Sequence, residues 1–381
     1  MTPTRRDFLR TTGLVGAGLA LGGVSACGDP SDPAPTGNPP SKRILILGGT
    51  GFIGPHTVEY AVSRGHQVSI FTRGRSDADL PQEVERLVGD RNDDHTALEG
   101  RTWDLVLDNN AQDYRWVEKS TELLRDAVDH YVFVSSISAY ALEGFDWSRA
   151  DQVVTEPAVG VDYPLIQAPE GWTHGEPAAY GHMKALSEGI VQAAFPSRST
   201  IVRPGLIVGP GDETNRWGYW PRRLDDGGEV LAPGRPEHAN QVIDQRDLTE
   251  WLVRLGENGT AGVFNGTGPA ERMSMDAMLQ QIGTVAGNPY SLTWVPESFL
   301  EAQGLMPWTD FPAWIPGDPL MFVDVAPSVA AGLTFRPLPV TARDTLAFER
   351  SRDPERVAAR PFGITRERER EVLDAWHASQ G

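Results

Sequence analysis

Cysteine is almost absent from this chain: its 381 residues include a single one, Cys27. One thiol cannot form a disulfide within the chain, so we expect the fold to be stabilised by burial of apolar side chains. The 40% hydrophobic content and 11 tryptophans are enough for a sizeable core. A fold without disulfides is typical of proteins that fold in the reducing cytoplasm.

Basic residues are scarce relative to acidic ones, with 34 Lys and Arg against 52 Asp and Glu and a formal net charge of −18. A surface of this sign repels nucleic-acid phosphates and anionic lipid headgroups. The charge therefore argues against nucleic acid as a partner and against wide contact with an anionic membrane. Acidic solubility is the simplest explanation.

The N-terminal segment is apolar but too short for a membrane span, which needs roughly 20 apolar residues. The glycine-rich run from Thr11 to Ala26 follows Thr4-Arg5-Arg6-Asp7-Phe8-Leu9-Arg10. This arrangement resembles a twin-arginine export signal. Residues 1–27 end in Val24-Ser25-Ala26-Cys27, which resembles a lipobox with Cys27 as the lipidated residue; the alternative is a plain small-residue cleavage site.

Residues 28–41 are rich in proline and predict a tether between this signal and the folded part. Together these features predict an exported lipoprotein that uses the twin-arginine translocation machinery. A lipid anchor would then hold it to the membrane, in the periplasm or at the cell surface.

The rest of the chain is organised around the stretch from Lys42 to Arg73. Its apolar run Ile44 to Leu47 predicts a buried parallel strand, after which a helix begins. The junction carries glycines at three-residue spacing, as a pyrophosphate-binding turn requires, with the helix N-terminus pointing N–H groups at the anion. The residues predicted to hold the dinucleotide are Gly48, Thr50, Gly51, Phe52, Ile53 and Gly54. The alternative is a turn without a ligand.

The second predicted strand, Gln67 to Thr72, bears on the choice of cofactor. NAD-selective sites usually carry an acidic residue at its end to bind the ribose 2′-OH. Here Thr72 is followed by Arg73 and Arg75, which suit a 2′-phosphate. NADP is therefore favoured and NAD stays open, because the arginines could also be solvated loop residues.

Alternating strands and helices predict the fold class. Further strands are expected at Arg86 to Val88, Trp103 to Asp108 and His130 to Ser135, with helical segments such as Val117 to Val128 between them. This pattern predicts an α/β protein with a Rossmann-like, doubly wound parallel sheet in residues 42–212. Residues 213–381 are assigned to a smaller C-terminal α/β substrate lobe, some of whose elements return to the first domain.

Two polar residues follow predicted strands near the expected cofactor. Asp90 comes after the third strand and is placed near the adenine amino group, with a turn or cap role as the alternative. Asn109 lies where the fourth strand opens towards the cofactor.

Tyr180 and Lys184 form the predicted catalytic pair. Residues four apart share a face of a helix, so both side chains can point into one cleft. A neighbouring ammonium favours the phenolate, which suits Tyr180 as a general acid/base, and Lys184 would also hold the cofactor ribose. Ser136, at the end of the fifth strand, would hydrogen-bond the reacting hydroxyl or carbonyl; Ser135 and Ser138 are alternatives.

These motifs together resemble the extended short-chain dehydrogenase/reductase family, which includes sugar-nucleotide epimerases and dehydratases. The resemblance spans about Lys42 to Gly268, and within it Arg203 and Pro204 resemble the family's Arg-Pro segment beside the nicotinamide. Ser136 is preferred because it lies four residues before Tyr140, as in the family pattern. Asp108-Asn109-Asn110-Ala111-Gln112 replaces the family's common His-Leu-Ala-Ala, which favours an atypical branch.

The C-terminal part of such proteins closes over the substrate. Trp217, Tyr219 and Trp220 are therefore candidates to stack on a sugar face, and Arg222 to meet an anionic group, with core packing and solvation as alternatives. The histidines show no metal-ligand spacing, so no metal is expected. The sequence leaves open whether the chain forms a homodimer.

Three functions remain in view. The first is an exported epimerase/dehydratase-like oxidoreductase that acts on a sugar or a related hydroxyl or carbonyl compound. A free nicotinamide pool is not expected outside the cytoplasm, so this enzyme would keep its cofactor bound and turn over without net oxidation or reduction. The second is a net NAD(P)H-dependent dehydrogenase or reductase. The third is a non-catalytic binding module, against which the intact Ser136, Tyr180 and Lys184 argue.

Overall fold

The computed structural model describes residues 39–381 except 77, 110, 143, 145 and 359–361. The twin-arginine segment, Cys27 and most of the proline-rich tether lie outside the described residues, so the predictions made for them stay predictions. Within the described ranges, no helix combines the length and the apolar character that crossing a membrane requires.

The strands of the described chain are β1 (Arg43–Leu47), β2 (Gln67–Thr72), β3 (Glu85–Val88), β4 (Trp103–Asp108), β5 (Val128–Val134), β6 (Ser199–Pro204), β7 (Leu206–Val208), β8 (Gly228–Pro233), β9 (Ala239–Asn240), β10 (Val242–Asp244), β11 (Gly262–Gly266), β12 (Met273–Ser274) and β13 (Tyr290–Val295). The helices are α1 (Gly54–Ser63), α2 (Tyr114–Leu124), α3 (Tyr180–Ala194), α4 (Tyr219–Asp225), α5 (Gln245–Glu257), α6 (Met275–Gly283), α7 (Glu297–Ala302), α8 (Ala326–Ala330), α9 (Leu338–Ser351), α10 (Pro354–Ala358) and α11 (Arg366–Gln380).

A seven-stranded parallel sheet forms the centre of the molecule, in the order β11-β6-β5-β4-β1-β2-β3. Its inner strands are apolar runs buried on both faces, as parallel sheets require. Helices α1 and α5 cover one face, where His56 lies 3.2 Å from Glu250, and α2 and α3 pack on the other. The predicted doubly wound, Rossmann-like sheet is confirmed.

The chain order reverses between β1 and β4, the strands that pair at the centre of the sheet. In open α/β sheets, ligands bind at this switch point, beyond the carboxyl ends of the strands. The ends of β1, β4, β5 and β6 here open into one cleft. Their positions set the geometry of the candidate site.

A second hydrophobic core lies in the C-terminal half and contains Trp217, Trp220, Phe311 and Trp314. Short strand pairs surround it: β8 with β13, β9 with β12, and β7 with β10. Helix α5 and strand β11 return to the central sheet. Residues between 308 and 321 contribute to the lining of the cleft.

Candidate active site

The turn after β1 has the backbone that its glycines allow. Gly48 and Gly49 adopt φ values of 112° and 96°, in the left-handed region that favours glycine. The Gly48 amide donates to the Phe71 carbonyl at 3.0 Å, which ties the turn to β2. A Cβ on Gly49 would lie 2.8 Å from Ile70 Cγ2, so a side chain does not fit there.

The next two glycines differ in what surrounds them. A Cβ on Gly51 would meet no atom within 4 Å and would point into open space, whereas one on Gly54 would overlap the backbone of Gly49. Helix α1 begins at Gly54 after Ile53, whose side chain has no atom that could cap the helix. The turn is therefore closely packed behind and open in front, which fits the pyrophosphate of a dinucleotide.

Asn109 supplies a further feature that fits a polar cofactor. It follows β4 and lines the same cleft, and its buried Nδ2 has no hydrogen-bond partner among the described residues. A buried donor without a partner is costly, so a ligand group that accepts from it would be favoured.

The loop after β2 contains the residues predicted to contact a 2′-phosphate, and only some of them line the cleft. Arg73 lines the cleft together with Ser76, whereas Thr72 and Arg75 do not. Thr72 Oγ1 instead accepts a hydrogen bond from the Gly74 amide at 3.3 Å and shapes the loop. Arg73 is thus the arginine of this loop that lines the cleft.

Asp90 lies in a turn, which is the alternative to the adenine contact predicted for it. Its carboxylate accepts hydrogen bonds from the Asn92 amide at 3.0 Å and from the Asn92 side chain at 2.8 Å. These bonds lower the pKa of Asp90, and the charges of Arg73 and Arg75 lower it further. Asp90 does not line the cleft, so the structure shows its turn contact, and the adenine contact stays a prediction.

Tyr180 and Lys184 stand one turn apart at the start of α3 and both line the cleft. Tyr180 is 52% exposed, whereas Lys184 is 4% exposed. Lys184 Nζ donates to the Val134 carbonyl at 2.9 Å and lies 5.8 Å from the centre of the Tyr180 ring. Burial lowers the pKa of Lys184 to about 8. The pair therefore combines an accessible phenol with an ammonium held behind it.

Ser135 and Ser136, which follow β5, differ in the partners of their hydroxyl groups, and Ser138 lies close by. Ser136 Oγ accepts from the Ser138 amide at 3.1 Å, which leaves its hydroxyl proton available for a ligand. Ser135 Oγ donates to Glu188 and is engaged inside the protein. All three line the cleft, and these contacts favour Ser136 as the substrate-facing hydroxyl.

Arg203 is not beside the cleft, contrary to the prediction. Its guanidinium is buried and forms a bidentate pair with Glu188, with N–O distances between 2.7 and 3.2 Å. It also stacks over the Tyr140 ring at 4.7 Å and donates to the Val161 carbonyl at 2.8 Å. Arg203 is therefore a structural residue behind the site, whereas Pro204 lines the cleft as predicted.

The cleft has a volume of about 960 Å³ and joins the glycine turn to the Tyr180–Lys184 pair. Of the residues predicted from sequence, it is lined by Gly48, Thr50, Gly51, Phe52, Ile53, Gly54, Arg73, Asn109, Ser136, Tyr180, Lys184 and Pro204. One cavity thus brings the predicted cofactor turn and the predicted catalytic residues together.

The aromatic residues predicted to contact substrate belong instead to the C-terminal core. Trp217 and Trp220 are 0% exposed and Tyr219 is 6% exposed, and all three pack in one apolar cluster. Arg222 is half-buried, with its Nε 3.5 Å from Glu349 Oε2. None of these four side chains lines the cleft, so their predicted substrate role is corrected.

Other residues, from Leu206 onward in the chain, line the cleft instead. They are Leu206, Ile207, Arg216, Gln241, Trp308, Ile315, Asp318, Leu320 and Met321. Burial raises the pKa of Asp318. Most of these residues follow the catalytic motif by about 100 residues or more and carry no local pattern that marks them as site residues. Elsewhere in the described chain, no group of three or more His, Cys, Asp or Glu side chains is placed to hold a metal ion.

The fold and this cleft define a Rossmann-type protein with a dinucleotide turn facing a Tyr–Lys pair. A sequence profile described as the NAD dependent epimerase/dehydratase family matches residues 44–265, more than half of the chain. The chain belongs to this family. Its homologues are NAD(P)-dependent epimerases, dehydratases and reductases.

Individual relatives are distant. The chloroplast stem-loop binding protein of 41 kDa b from Arabidopsis thaliana is 27% identical over 266 residues, which cover 65% of this chain and 64% of that protein. This chain therefore spans slightly less than two thirds of that relative's length.

Two solved structures show the same fold. WbmH of Bordetella bronchiseptica, in complex with NAD+, superposes with a TM-score of 0.58 at 15% identity, over 81% of this chain and 98% of that one. The human epimerase family protein SDR39U1, with NADPH, superposes with a TM-score of 0.52 at 18% identity, over 80% of this chain and 99% of that one.

Proposed function

We propose that this protein is an NAD(P)-dependent oxidoreductase that moves a hydride at a secondary alcohol or ketone, with Tyr180 as its proton donor and acceptor. The observation that carries the proposal is the position of the exposed Tyr180 phenol in the cleft that also contains the glycine turn. Family membership supports the same class of reaction.

The residues of the cleft fit a nicotinamide dinucleotide. Gly51 and the N-terminus of α1 would hold its pyrophosphate, and Asn109 Nδ2 would donate to one of its polar groups. Arg73 supports a 2′-phosphate, so NADP is slightly favoured over NAD. When bound, the nicotinamide accepts or supplies the hydride.

Proton transfer is assigned to residues of this chain. Tyr180 removes a proton from the substrate hydroxyl or returns it to the carbonyl oxygen. The Lys184 ammonium, one turn away, lies 5.8 Å from the centre of the Tyr180 ring and would also hold the cofactor ribose. Ser136 donates a hydrogen bond to the same substrate oxygen and orients it.

Turnover without net redox change follows from the predicted export. We propose that the protein is carried by the twin-arginine machinery and anchored through lipidated Cys27, and that it retains its cofactor because no free pool would replace it. The substrate is then epimerised or dehydrated between two opposite hydride transfers, and a sugar or a related hydroxyl compound suits such chemistry. A nucleic-acid role like that in the Arabidopsis relative's name is opposed by the net charge of −18.

The first experiment tests Tyr180 in the full chain. Hydride transfer is followed by nicotinamide absorbance with a panel of hydroxyl and carbonyl compounds, for the wild type, Tyr180→Phe and the control Tyr60→Phe. Tyr60 lies on α1 outside the cleft, where its hydroxyl is 3.4 Å from Arg254 Nη1. We expect Tyr180→Phe to lose at least a hundredfold in rate, since general acid–base catalysis contributes roughly 10²–10⁴-fold. Equal rates for Tyr180→Phe and the wild type would refute the proposal.

A second measurement separates redox-neutral from net-redox turnover. The protein is purified without added cofactor and denatured, and the released nicotinamide is quantified by mass spectrometry. Stoichiometric NADP or NAD that does not exchange with added cofactor supports redox-neutral turnover. Free exchange with net reduction or oxidation of added cofactor would identify a dehydrogenase or reductase instead.

A further inference from the structure

The residues that line the cleft from Leu206 onward in the chain are mostly apolar. We call them together the C-terminal wall, and they are Leu206, Ile207, Arg216, Gln241, Trp308, Ile315, Asp318, Leu320 and Met321. Six of these nine side chains are aliphatic, aromatic or thioether groups. A polyhydroxylated ligand pressed against such a wall would lose hydrogen bonds to water without replacing them.

Two of the three polar residues of the C-terminal wall are engaged within the protein. Gln241 Nε2 donates to the carbonyls of Pro269 at 3.1 Å and Val323 at 3.2 Å, and its Oε1 accepts from the Val323 amide at 2.9 Å. Asp318 Oδ1 accepts from the Leu320 amide at 2.8 Å and caps a short 3₁₀ turn. These contacts leave Arg216 as the polar residue of the wall best placed to bind a ligand.

Contacts along one edge of its guanidinium group orient Arg216. Its Nε donates to Thr214 Oγ1 at 2.7 Å, and that hydroxyl donates to Asp212 Oδ1 at 2.6 Å. Arg216 Nη2 lies 3.5 Å from Asp212 Oδ2, and the Arg216 side chain remains 27% exposed. A guanidinium fixed along one edge loses little freedom when its other N–H groups bind a planar anion such as a carboxylate.

Size and charge also limit the ligand. A cavity of about 960 Å³ is near the upper end of the roughly 300–1,000 Å³ that enclose one drug-sized ligand. The glycine turn and the Tyr180–Lys184 pair lie in this one cavity, so the substrate would share it with the dinucleotide and a compact substrate fits best. One arginine that is partly balanced by Asp212, on a chain of net charge −18, suits a single negative charge better than a diphosphate.

We infer that the substrate is a compact hydroxy or keto carboxylic acid with an apolar chain, whose carboxylate binds Arg216 and whose chain packs on the C-terminal wall. This inference rests on the proposed function, because it places the reacting oxygen at Tyr180. Among the hydroxyl compounds of the proposed function, it favours a hydroxy acid over a sugar, whose hydroxyls the wall does not match, and over a nucleotide sugar, which adds a diphosphate.

The test measures binding, independently of turnover. Full-length protein is titrated calorimetrically, with and without saturating NADP+, using 3-hydroxyoctanoate, 3-hydroxybutyrate, 3-hydroxyoctanamide and UDP-glucose. We expect 3-hydroxyoctanoate to bind at least tenfold more tightly than its amide, a difference of about 1.4 kcal/mol. It should also bind more tightly than 3-hydroxybutyrate, by roughly fourfold for each additional buried methylene.

Variants then assign the charge recognition to one residue. Arg216→Gln should remove the preference for carboxylate over amide, and Arg216→Lys should retain part of it because the charge remains. The matched control is Arg343→Gln on α9, whose side chain is 62% exposed and outside the cleft. It removes the same charge and should leave the preference unchanged. Circular dichroism of each variant checks that it is folded.

The outcomes separate this inference from the proposed function. If NADP+ binds and hydride transfer depends on Tyr180, but amide and carboxylate bind equally, the inference is wrong and the function stands. Tighter binding of UDP-glucose, or no binding of any 3-hydroxy probe, would also overturn the inference. If the carboxylate preference depends on Arg216 but no dinucleotide binds, the proposed function fails while the acid site remains.

Discussion

Lys184 provides a quantitative test of the site, because its charge is costly where the structure places it. Its side chain is buried, and its Nζ donates to the Val134 carbonyl at 2.9 Å. We consider the substitution Lys184→Met, which keeps a long unbranched side chain and removes the charge. The expected result is a gain in stability together with a loss of activity.

The magnitude follows from the pKa. Burial lowers the pKa of Lys184 from 10.5 to about 8. At 1.36 kcal/mol per pKa unit, keeping this ammonium charged at pH 7 costs about 3 kcal/mol. Methionine avoids that cost but loses the hydrogen bond to Val134, which is worth about 1 kcal/mol. The variant should therefore be more stable than the wild type by about 2 kcal/mol at pH 7.

The difference should depend on pH in a defined direction. Below pH 8, Lys184 is protonated in both the folded and the unfolded chain, and the full cost applies. Between pH 8 and 10.5 the unfolded chain holds the proton and the folded chain releases it, so the stability of the wild type rises with pH. By pH 9.5 the remaining cost is about 1 kcal/mol, which the lost hydrogen bond offsets.

The assay is urea unfolding at pH 7 and pH 9.5, followed by the fluorescence of the buried tryptophans. Lys184→Met should have the larger free energy of unfolding at pH 7 and a nearly equal one at pH 9.5. Lys119→Met is the control, because Lys119 is exposed and lies outside the cleft. Its effect should be the same at both pH values. A Lys184→Met variant that is less stable at pH 7, or whose effect is independent of pH, would refute this reasoning.

Three further predictions use other parts of the structure. Gly51→Ala should change the free energy of unfolding by less than about 0.5 kcal/mol but weaken NADP+ binding at least tenfold. Gly54→Ala should lower the free energy of unfolding by about 1–3 kcal/mol, because its Cβ overlaps Gly49. Urea unfolding measures the stability of both variants, and calorimetry measures their NADP+ binding. Glu188→Ala leaves a buried guanidinium without its carboxylate and should cost about 3–5 kcal/mol in urea unfolding. Trp217→Ala should lower the free energy of unfolding by about 3–5 kcal/mol and leave the dissociation constant of 3-hydroxyoctanoate in the folded fraction unchanged. A weakened affinity would instead indicate that Trp217 contacts the substrate.

The dinucleotide half could be predicted because its signals are local. Apolar runs bounded by turn residues predicted β2 and β4 with the bounds that the structure shows, and β1, β3 and β5 to within two residues. The glycine spacing and the four-residue spacing of Tyr180 and Lys184 are properties of one turn and one helix. Each of these features needs no knowledge of what packs against it.

The substrate half could not be predicted in the same way, because burial depends on distant segments. Trp220 is enclosed by a region that begins about 90 residues later, and its Nε1 donates to the Pro312 carbonyl at 2.5 Å. The cleft receives Trp308 and Leu320 from that same remote region. Local composition cannot tell an aromatic residue of a core from one of a binding wall.

The pairing of Arg203 could have been inferred from the helix that contains Tyr180 and Lys184. Glu188 lies four residues after Lys184 and eight after Tyr180, so all three share a face of α3. A buried carboxylate on that face requires a cationic partner, and the arginine of the Arg-Pro segment is the residue that the fold brings to it. The motif's arginine thus pairs with the helix that carries the catalytic residues, and its proline reaches the cleft.

This arrangement explains why the site can retain an unfavourable charge. Glu188 ties α3 to Arg203 of β6 and to Ser135 after β5, so the helix is held against the sheet where Lys184 is buried. That contact holds the part of α3 on which Lys184 lies, where its ammonium is 5.8 Å from the centre of the Tyr180 ring. A helix free to shift would relieve the cost of burial and move the ammonium away from the Tyr180 ring. The buried Glu188–Arg203 pair thus holds in place the helix that carries the lysine proposed as catalytic.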